Sequence, residues 1–537
     1  MSFVYSRAGL EGAEARRQRL LEILPGATSW TVLLGMFTLG LCAPQTAAAL
    51  VIAFNLYWLL RLAHSTIFLV FSYALLRAER RADWPRRLAA LTEGAPPPDL
   101  PLSRWLFRGR WRALRDAGVK PLDPGCVHHV VIIPIVKEQA DVVEPGLRSL
   151  REQDFPTDRI LVVLAVEARA EEAVRRDAER LAEQYRAHFL ACEVALHPAD
   201  VPGEARVKGA NATFAARRAA ELLRARGIPF AHVTASCFDA DTVVPAHYIS
   251  CLTYHFCLEP DRTRASYQPI PVYHNNIWAA PGFARVLEVG SSFFQLIEAT
   301  NPDTLVTFSS HSMSFQALHE VGGWPVDMIS DDSAIFWKSY LHYEGDYRVV
   351  PMYTTVSMDI VAERDWARTL RGLYKQKRRW AWGAENFPLL VRGFLQARRI
   401  PWREKFWHTL KMYEGLVAWA TWGFMLSIIN WLPALFAGRE FSSTVMYFTA
   451  PRISGLIFNL AGLALLTTII LSQLLVPRPP SRRPILVRIR HAFEWLFIPF
   501  ITLFFSAIPA LDAQTRLMLG KRMEFWVAGK GGGGRPS

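Results

Sequence analysis

Two carboxylates one residue apart, Asp239 and Asp241, follow a run of small and β-prone residues, Ala231-His232-Val233-Thr234-Ala235-Ser236-Cys237-Phe238. The run reads as a buried strand. Carboxylates just past its end fall on the rim of an α/β sheet, where such sheets bind ligands. Side chains at i and i+2 can converge on one hard cation, and Mg2+ or Mn2+ takes carboxylates together with phosphate oxygens. The pair is a candidate metal–diphosphate clamp; a solvated acidic turn would have the same residues.

Four more clusters bear on that choice. Glu138 stands a few residues after Val130-Val131-Ile132-Ile133-Pro134, on the same expected rim. Lys208-Gly209-Ala210-Asn211 opens a helix expected over 212–226, offering a positive charge and an amide that both donates and accepts. Ser330-Asp331-Asp332 precedes an aromatic helix; the carboxylates fit a helix N-terminus, or a general base. Gln376-Lys377-Arg378-Arg379-Trp380 lies on a basic, aromatic, amphipathic helix over 366–382, which alone would read as an interfacial anchor.

The elements that must position these residues follow from periodicity. An apolar strand at 130–134, a helix at 141–152, a second strand at 160–166, a helix at 171–189 and a third strand near 194–196 predict an open, Rossmann-like α/β sheet. No Gly-x-Gly-x-x-Gly follows the first strand, and no Gly-x-x-x-x-Gly-Lys-Ser/Thr occurs, which argues against dinucleotide binding and a P-loop motor.

The 537-residue chain is 51% hydrophobic with 18 Trp and 32 Phe, and its 61 Lys+Arg against 48 Asp+Glu give a net charge of +13. Long uncharged runs assign that excess to a lipid bilayer, and no nucleic-acid signature accompanies it. The six cysteines form no Cys-x-x-Cys pair and read as reduced thiols. The stretch from Ile23 to Leu60 is too long for a signal peptide and predicts a helical hairpin turning at Ala43-Pro44-Gln45-Thr46. Arg61 is expected near the inner interface, or in a polar contact. Runs at 415–438 and 453–477 are two further spans. Basic clusters at 77–87 and 478–490 belong inside, which puts the intervening domain in the cytoplasm of a multi-pass inner-membrane protein. The run at 495–511 holds Pro499 and Pro509 and is expected as a re-entrant or interfacial hairpin, with a fifth span as the alternative; a glycine-rich tail at 531–534 is expected to be flexible. The divisions are thus a hairpin at 1–77, a membrane-surface linker at 78–127, the α/β domain at 128–362, interfacial helices at 363–410, a second hairpin at 411–477 and a basic C-terminal segment at 478–537.

In this order the clusters resemble those of membrane-embedded family-2 glycosyltransferases, the group of cellulose, hyaluronan and chitin synthases. The likeness covers about residues 130–382 and the flanking hairpins: Ile133-Pro134 with Glu138, Lys208 to Asn211, Asp239-Ala240-Asp241, Ser330-Asp331-Asp332 for the family's Thr-Glu-Asp, and Gln376-Lys377-Arg378-Arg379-Trp380 for Gln-x-x-Arg-Trp. The resemblance implies a GT-A domain inserted between transmembrane helices and a nucleotide-diphosphate sugar as donor, a UDP-sugar foremost. It implies that Asp239 and Asp241 bind Mg2+ or Mn2+ and the diphosphate, and that Asp332 is the general base. It places Gln376, Arg379 and Trp380 over the donor and at the acceptor, and Lys208, Asn211 and Glu138 near the nucleotide. Where the family has an Asp after the second strand, Val166-Glu167-Ala168-Arg169 stands, which gives Glu167 the base or ribose and leaves the base itself open. Asp331 replaces the family's Glu, and His311-Ser312-Met313-Ser314 occupies the place of an acceptor-proximal loop.

These residues predict an inverting transferase acting on a lipid-linked or polysaccharide acceptor, either processively or once. A non-catalytic transporter or scaffold with an inert α/β domain is the competing reading, but the apolar runs hold few of the ionisable groups a transport path uses. A metal-dependent phosphotransferase would leave Gln376 to Trp380 without a role.

Overall fold

The structure, a computed structural model, describes residues 5–523 apart from 6, 8, 98–100, 364 and 437; the glycine-rich tail lies outside the described residues. Seven strands, β1 (His128–Ile135), β2 (Ile160–Glu167), β3 (Ala191–His197), β4 (Val233–Cys237), β5 (Ala265–Val272), β6 (His311–Ser314) and β7 (Arg348–Ser357), form one sheet in the order β3-β2-β1-β4-β6-β5-β7. The block β3-β2-β1-β4 is parallel. Its two central apolar strands are buried on both faces, as their unalternating sequences require. β6 runs antiparallel between β4 and β5, pairing His311 with Cys237 and Ser312 with Ser236. Because it is reversed, β6 begins where β4 ends, so its first residues and Asp239 share one rim. The mixed α/β sheet between apolar helices is the class the sequence implied.

The helix Lys208–Ala225 lays Ala212, Ala215, Ala216 and Ala219 against β1 and β2; these small side chains let the helix come close to the sheet. On the other face packs Tyr248–Leu258, buried at every residue. The segment expected as a membrane-surface linker, 78–127, is instead part of the domain. Two amphipathic helices, Trp84–Glu93 and Pro101–Asp116, send Trp84, Leu91, Phe107 and Leu114 into the core. Arg87 goes with them, paired to Glu79 at 2.6 Å and with its guanidinium carbon 4.4 Å from the centroid of the Trp84 ring. Burying apolar aromatic surface outweighs the Arg-rich composition that suggested a lipid-facing strip.

Among the described residues four helices are long and apolar enough to cross a membrane: Gly12–Cys42, Pro44–Glu79, Val445–Leu475 and the run Pro484–Met518. Trp402–Ser427 followed by Ile429–Leu435 makes a fifth if that pair, bent by 43°, counts as one span. The first two meet at Ala43, as the Ala-Pro turn predicts. Arg61 bonds to Tyr57 at 2.8 Å and pairs with Glu414 on the Trp402–Ser427 helix, so it makes an inter-helix polar contact. The closing run Pro484–Met518 is tied to the helices Gly282–Glu298 and Trp366–Ala381 at two places. Glu494 pairs with Arg285 at 3.1 Å, and Asp512 accepts from Arg378 and Tyr374 at 2.9 Å each. The run is not one straight helix: a 3-10 turn at Trp495–Phe497 and a π turn at Leu503–Ala507 interrupt it.

Candidate active site

The carboxyl ends of β1, β2 and β4 and the amino end of β6 form one rim, and the motif residues assemble there. Asp239 follows β4 and is gripped from two directions: Lys208 Nζ donates to Oδ1 at 2.7 Å and Ser309 Oγ to Oδ2 at 2.9 Å. Lys208 occupies the first turn of its helix. Burial alone would pull its amine down, but the charges of Asp239 and Asp331 hold it well above its ordinary value. Gly209 is glycine for a reason of space, since a Cβ there would run into Pro325 O and crowd Asp331. Asp241 is fully buried; its Oδ2 accepts from the Asp359 amide at 2.8 Å, and its carbonyl from Asn275 Nδ2 at 2.8 Å.

Asp331 and Asp332 open the helix Asp331–His342. The Asp332 carboxylate is fixed by two backbone donors, Ser309 N to Oδ2 and Ser333 N to Oδ1, each at 2.8 Å. Ser309 therefore touches both acidic motifs, and it does so at a φ of 49°, a left-handed backbone that a serine rarely adopts. Asp331 is buried beside it. Burial first, then the neighbouring Asp332 and Asp239, push its carboxyl up to about 7 against the pull of Lys208 and Arg379.

The helix Trp366–Ala381 brings its motif to the same place. The Trp380 ring meets Phe308 edge-on at 5.5 Å and Tyr273 at 6.1 Å, next to Ser309. Gln376 is buried with Oε1 lacking a protein donor. Arg379 is near enough for its charge to act on Asp331.

Other motif residues are placed with more local duties. Glu138 Oε2 accepts from the Val136 and Lys137 amides at 2.8 and 3.0 Å, shaping the turn after β1. Asn211 Nδ2 donates to Ala165 O in β2 at 2.7 Å, pinning the helix to the sheet, while its Oδ1 has no protein partner. Glu167 ends β2, pairs with Arg169, and lines a cavity of about 240 Å3 with His197 and Glu204, themselves bonded at 2.9 Å. His311 and Ser312 belong to a buried strand and not to a loop. His311 Nδ1 lies 2.9 Å from Ser309 O with Nε2 unpartnered, and burial pushes the ring down to about 4. The Ser312 hydroxyl is instead taken up in the core by Ser236 at 2.7 Å and Tyr248 at 3.2 Å.

Two participants, Ser309 and Glu385, have no signal in the sequence. Glu385 follows Trp380 by five residues and receives Ile329 N, Ser330 N and Ser330 Oγ on Oε1 and Trp382 Nε1 on Oε2, at 2.8 to 3.0 Å; burial pushes its carboxyl up to about 7.

Among the described residues no group of three or more His, Cys, Asp or Glu side chains could hold a metal ion. Asp239 and Asp241 are nevertheless hard oxygen donors at one rim, a part-site of the kind Mg2+ or Mn2+ completes with phosphate oxygens. The rim thus brings Asp239, Asp331 and Asp332 together with Lys208, and the charge of Arg379 acts on Asp331 there, beside the Trp380, Phe308 and Tyr273 rings.

The family model for glycosyl transferase family group 2 matches residues 236–476, and the resemblance read from the motifs holds over this stretch. The poly-beta-1,6-N-acetyl-D-glucosamine synthase of Staphylococcus aureus is 38% identical over 88 residues, 16% of this chain and 19% of that protein. That of Staphylococcus epidermidis is 37% identical over 78 residues, 14% of this chain and 16% of that protein. The chain thus spans about a fifth of the length of these curated relatives. Among solved structures, a mannosyltransferase from Pyrobaculum calidifontis in complex with GDP-Man and Mn2+ overlaps 82% of this chain and 100% of its own at 17% identity and a TM-score of 0.42. Residues 1–349 of TarS from S. aureus, in complex with UDP-GlcNAc, overlap 74% and 93% at 12% identity and a TM-score of 0.34. Neither overlap is close enough to carry over a residue role or a substrate.

Proposed function

We propose that the protein is an inverting membrane glycosyltransferase that moves a sugar from a nucleotide-diphosphate donor to a lipid-linked or polysaccharide acceptor at the cytoplasmic face. The observation that carries this reading is Ser309, whose hydroxyl holds Asp239 and whose amide holds Asp332. A leaving-group clamp and a proton acceptor are thereby set in one frame. Asp239 and Asp241 would hold Mg2+ or Mn2+, which when bound neutralises charge on the departing diphosphate. Lys208 and Arg379 add positive charge there, the guanidinium pairing with phosphate oxygens in a fork.

In the reaction the acceptor oxygen attacks the anomeric carbon as the bond to the nucleotide diphosphate breaks, and Asp332 takes the hydroxyl proton. Its carboxylate is oriented by two amides, so a proton can be accepted without reorganising the site. Displacement on the face opposite the leaving group turns an α-linked donor into a β-linked product. Trp380, braced by Phe308 and Tyr273, offers a flat apolar face for the acceptor sugar, and His311 and Asp331 would act at the acceptor end. Glu167 and its cavity would take the nucleoside, with Asn211 and Glu138 shaping that end and Gln376 closing over the donor.

The test is purified protein with Mn2+ or Mg2+ and a panel of nucleotide sugars, with products identified by mass spectrometry. Transfer or donor hydrolysis with one member supports the reading. Inactivity with every donor would favour an inert scaffold.

A further inference from the structure

The turn that carries Asp331 and Asp332 is tied to the end of the Trp366–Ala381 helix by two adjacent residues. Glu385 gathers the Ile329 amide, the Ser330 amide and the Ser330 hydroxyl on one oxygen and the Trp382 indole on the other. Asn386 Nδ2 donates to Ser333 Oγ at 2.8 Å, and that hydroxyl donates in turn to Ser330 O at 3.2 Å. Ser333 N is one of the two amides that orient Asp332. The contacts lie on both sides of the acidic pair, at 329–330 and at 333, so they fix the turn in position and in rotation. Local geometry would not require this, since Ser330 makes no side-chain cap to its own helix.

We propose that Glu385 and Asn386 are positioning residues that set Asp332 against the acceptor only while the helix bearing Gln376, Arg379 and Trp380 is docked. This rests on the reading of Asp332 as the base. The carboxyl group suits the task because its two oxygens serve three donors of the turn and one of its own segment at once. Removing it leaves two part-buried backbone amides without their acceptor, and the turn would move to find water. Displacement of a catalytic group by about 1 Å costs about 100-fold in rate. Donor binding should be spared, since Glu385 and Asn386 hold the turn at 329–333, whereas Asp239 is held by Lys208 and Ser309.

The experiment is steady-state kinetics on the full-length protein, with kcat and donor KM measured separately for Glu385→Ala, Glu385→Gln and Asn386→Ala. Glu385→Ala should lower kcat about 100-fold with donor KM held within about twofold. Glu385→Gln keeps one acceptor oxygen and should recover at least about tenfold of that loss. Asn386→Ala should give the same kcat-only signature at smaller size. Should Glu385→Ala fail to fold, the other two variants carry the test unaided. Wild-type kcat in these variants, or donor KM rising in step with the loss of kcat, would overturn the clasp. Asp332→Asn assayed in parallel separates the two claims: turnover retained there removes the base itself, whereas an inactive Asp332→Asn beside a fully active Glu385→Ala removes only the clasp.

Discussion

Lys377 holds its ammonium 3.5 Å from the centroid of the Trp380 ring, three residues further along the same helix. Nζ also donates to Glu288 Oε2 at 2.8 Å and Ser291 Oγ at 3.1 Å on the helix Gly282–Glu298. Both charged groups are buried, so the pair gains little net stability but is costly to break on one side. Lys377→Met should destabilise the fold by about 3 kcal/mol by stranding Glu288. The double variant Lys377→Met/Glu288→Leu should recover most of that. Thermal unfolding in detergent reads both, and equal losses in single and double variants would show the pair to be energetically idle.

Asp332→Asn should retain donor and metal binding by calorimetry and lose about a thousandfold in transfer. The asparagine fits the same two amides with its carbonyl but cannot take the proton. Turnover near wild type would assign the base elsewhere.

Chelation of divalent ions should abolish transfer, and Asp241→Asn should weaken metal-dependent donor binding by at least about tenfold. A donor affinity indifferent to both treatments would remove the clamp. Asp239→Asn is the less selective variant, because that side chain also partners Lys208 and Ser309.

The pH dependence of stability has a sign set by Glu385. Burial raises its carboxyl in the folded protein from 4.5 to about 7, so folding favours the protonated form. Its contribution is complete below about pH 4.5 and is lost as pH rises through 7. Wild type should lose melting temperature relative to Glu385→Gln between pH 5 and pH 8. An unchanged gap across that range would show that the carboxyl titrates normally.

Two native cysteines report topology. Cys42 at the turn of the first hairpin and Cys126 before β1 are exposed, while Cys192, Cys237, Cys251 and Cys257 are buried. A membrane-impermeant maleimide should label Cys42 in intact cells and Cys126 only in inverted vesicles. Labelling of Cys126 from outside would reverse the proposed orientation.

The parts that could be read from the chain are those with a local cause. β1 and β2 announce themselves as unbroken apolar runs, the hairpin turn as Ala43-Pro44, and the rim carboxylates as acidic residues just past a strand or at a helix start. What escaped depends on residues far apart in the chain. Nothing near Ser309 says that it will join Asp239 and Asp332, and nothing near Glu385 names Ile329 and Ser330 as its donors. Residues 78–127 misled for a different reason: composition gave arginines and prolines, while the spacing of Trp84, Leu91, Phe107 and Leu114 decided where the helices pack. Ser312 was grouped with His311 by adjacency, yet alternation along a strand sends neighbouring side chains to opposite faces.

The reversed strand β6 also governs how the chain must come together. β4 leaves one edge open until β6 arrives, and residues 238–310 lie between them. During synthesis the nascent sheet therefore waits with an unpaired, apolar margin, the condition that invites aggregation. Asp239 meets Ser309 only when that margin closes. The assembly of the Asp239–Ser309 frame and the closing of this open edge are then one folding event, and an impaired β6 should deplete the protein from the membrane before it yields a folded but inactive one.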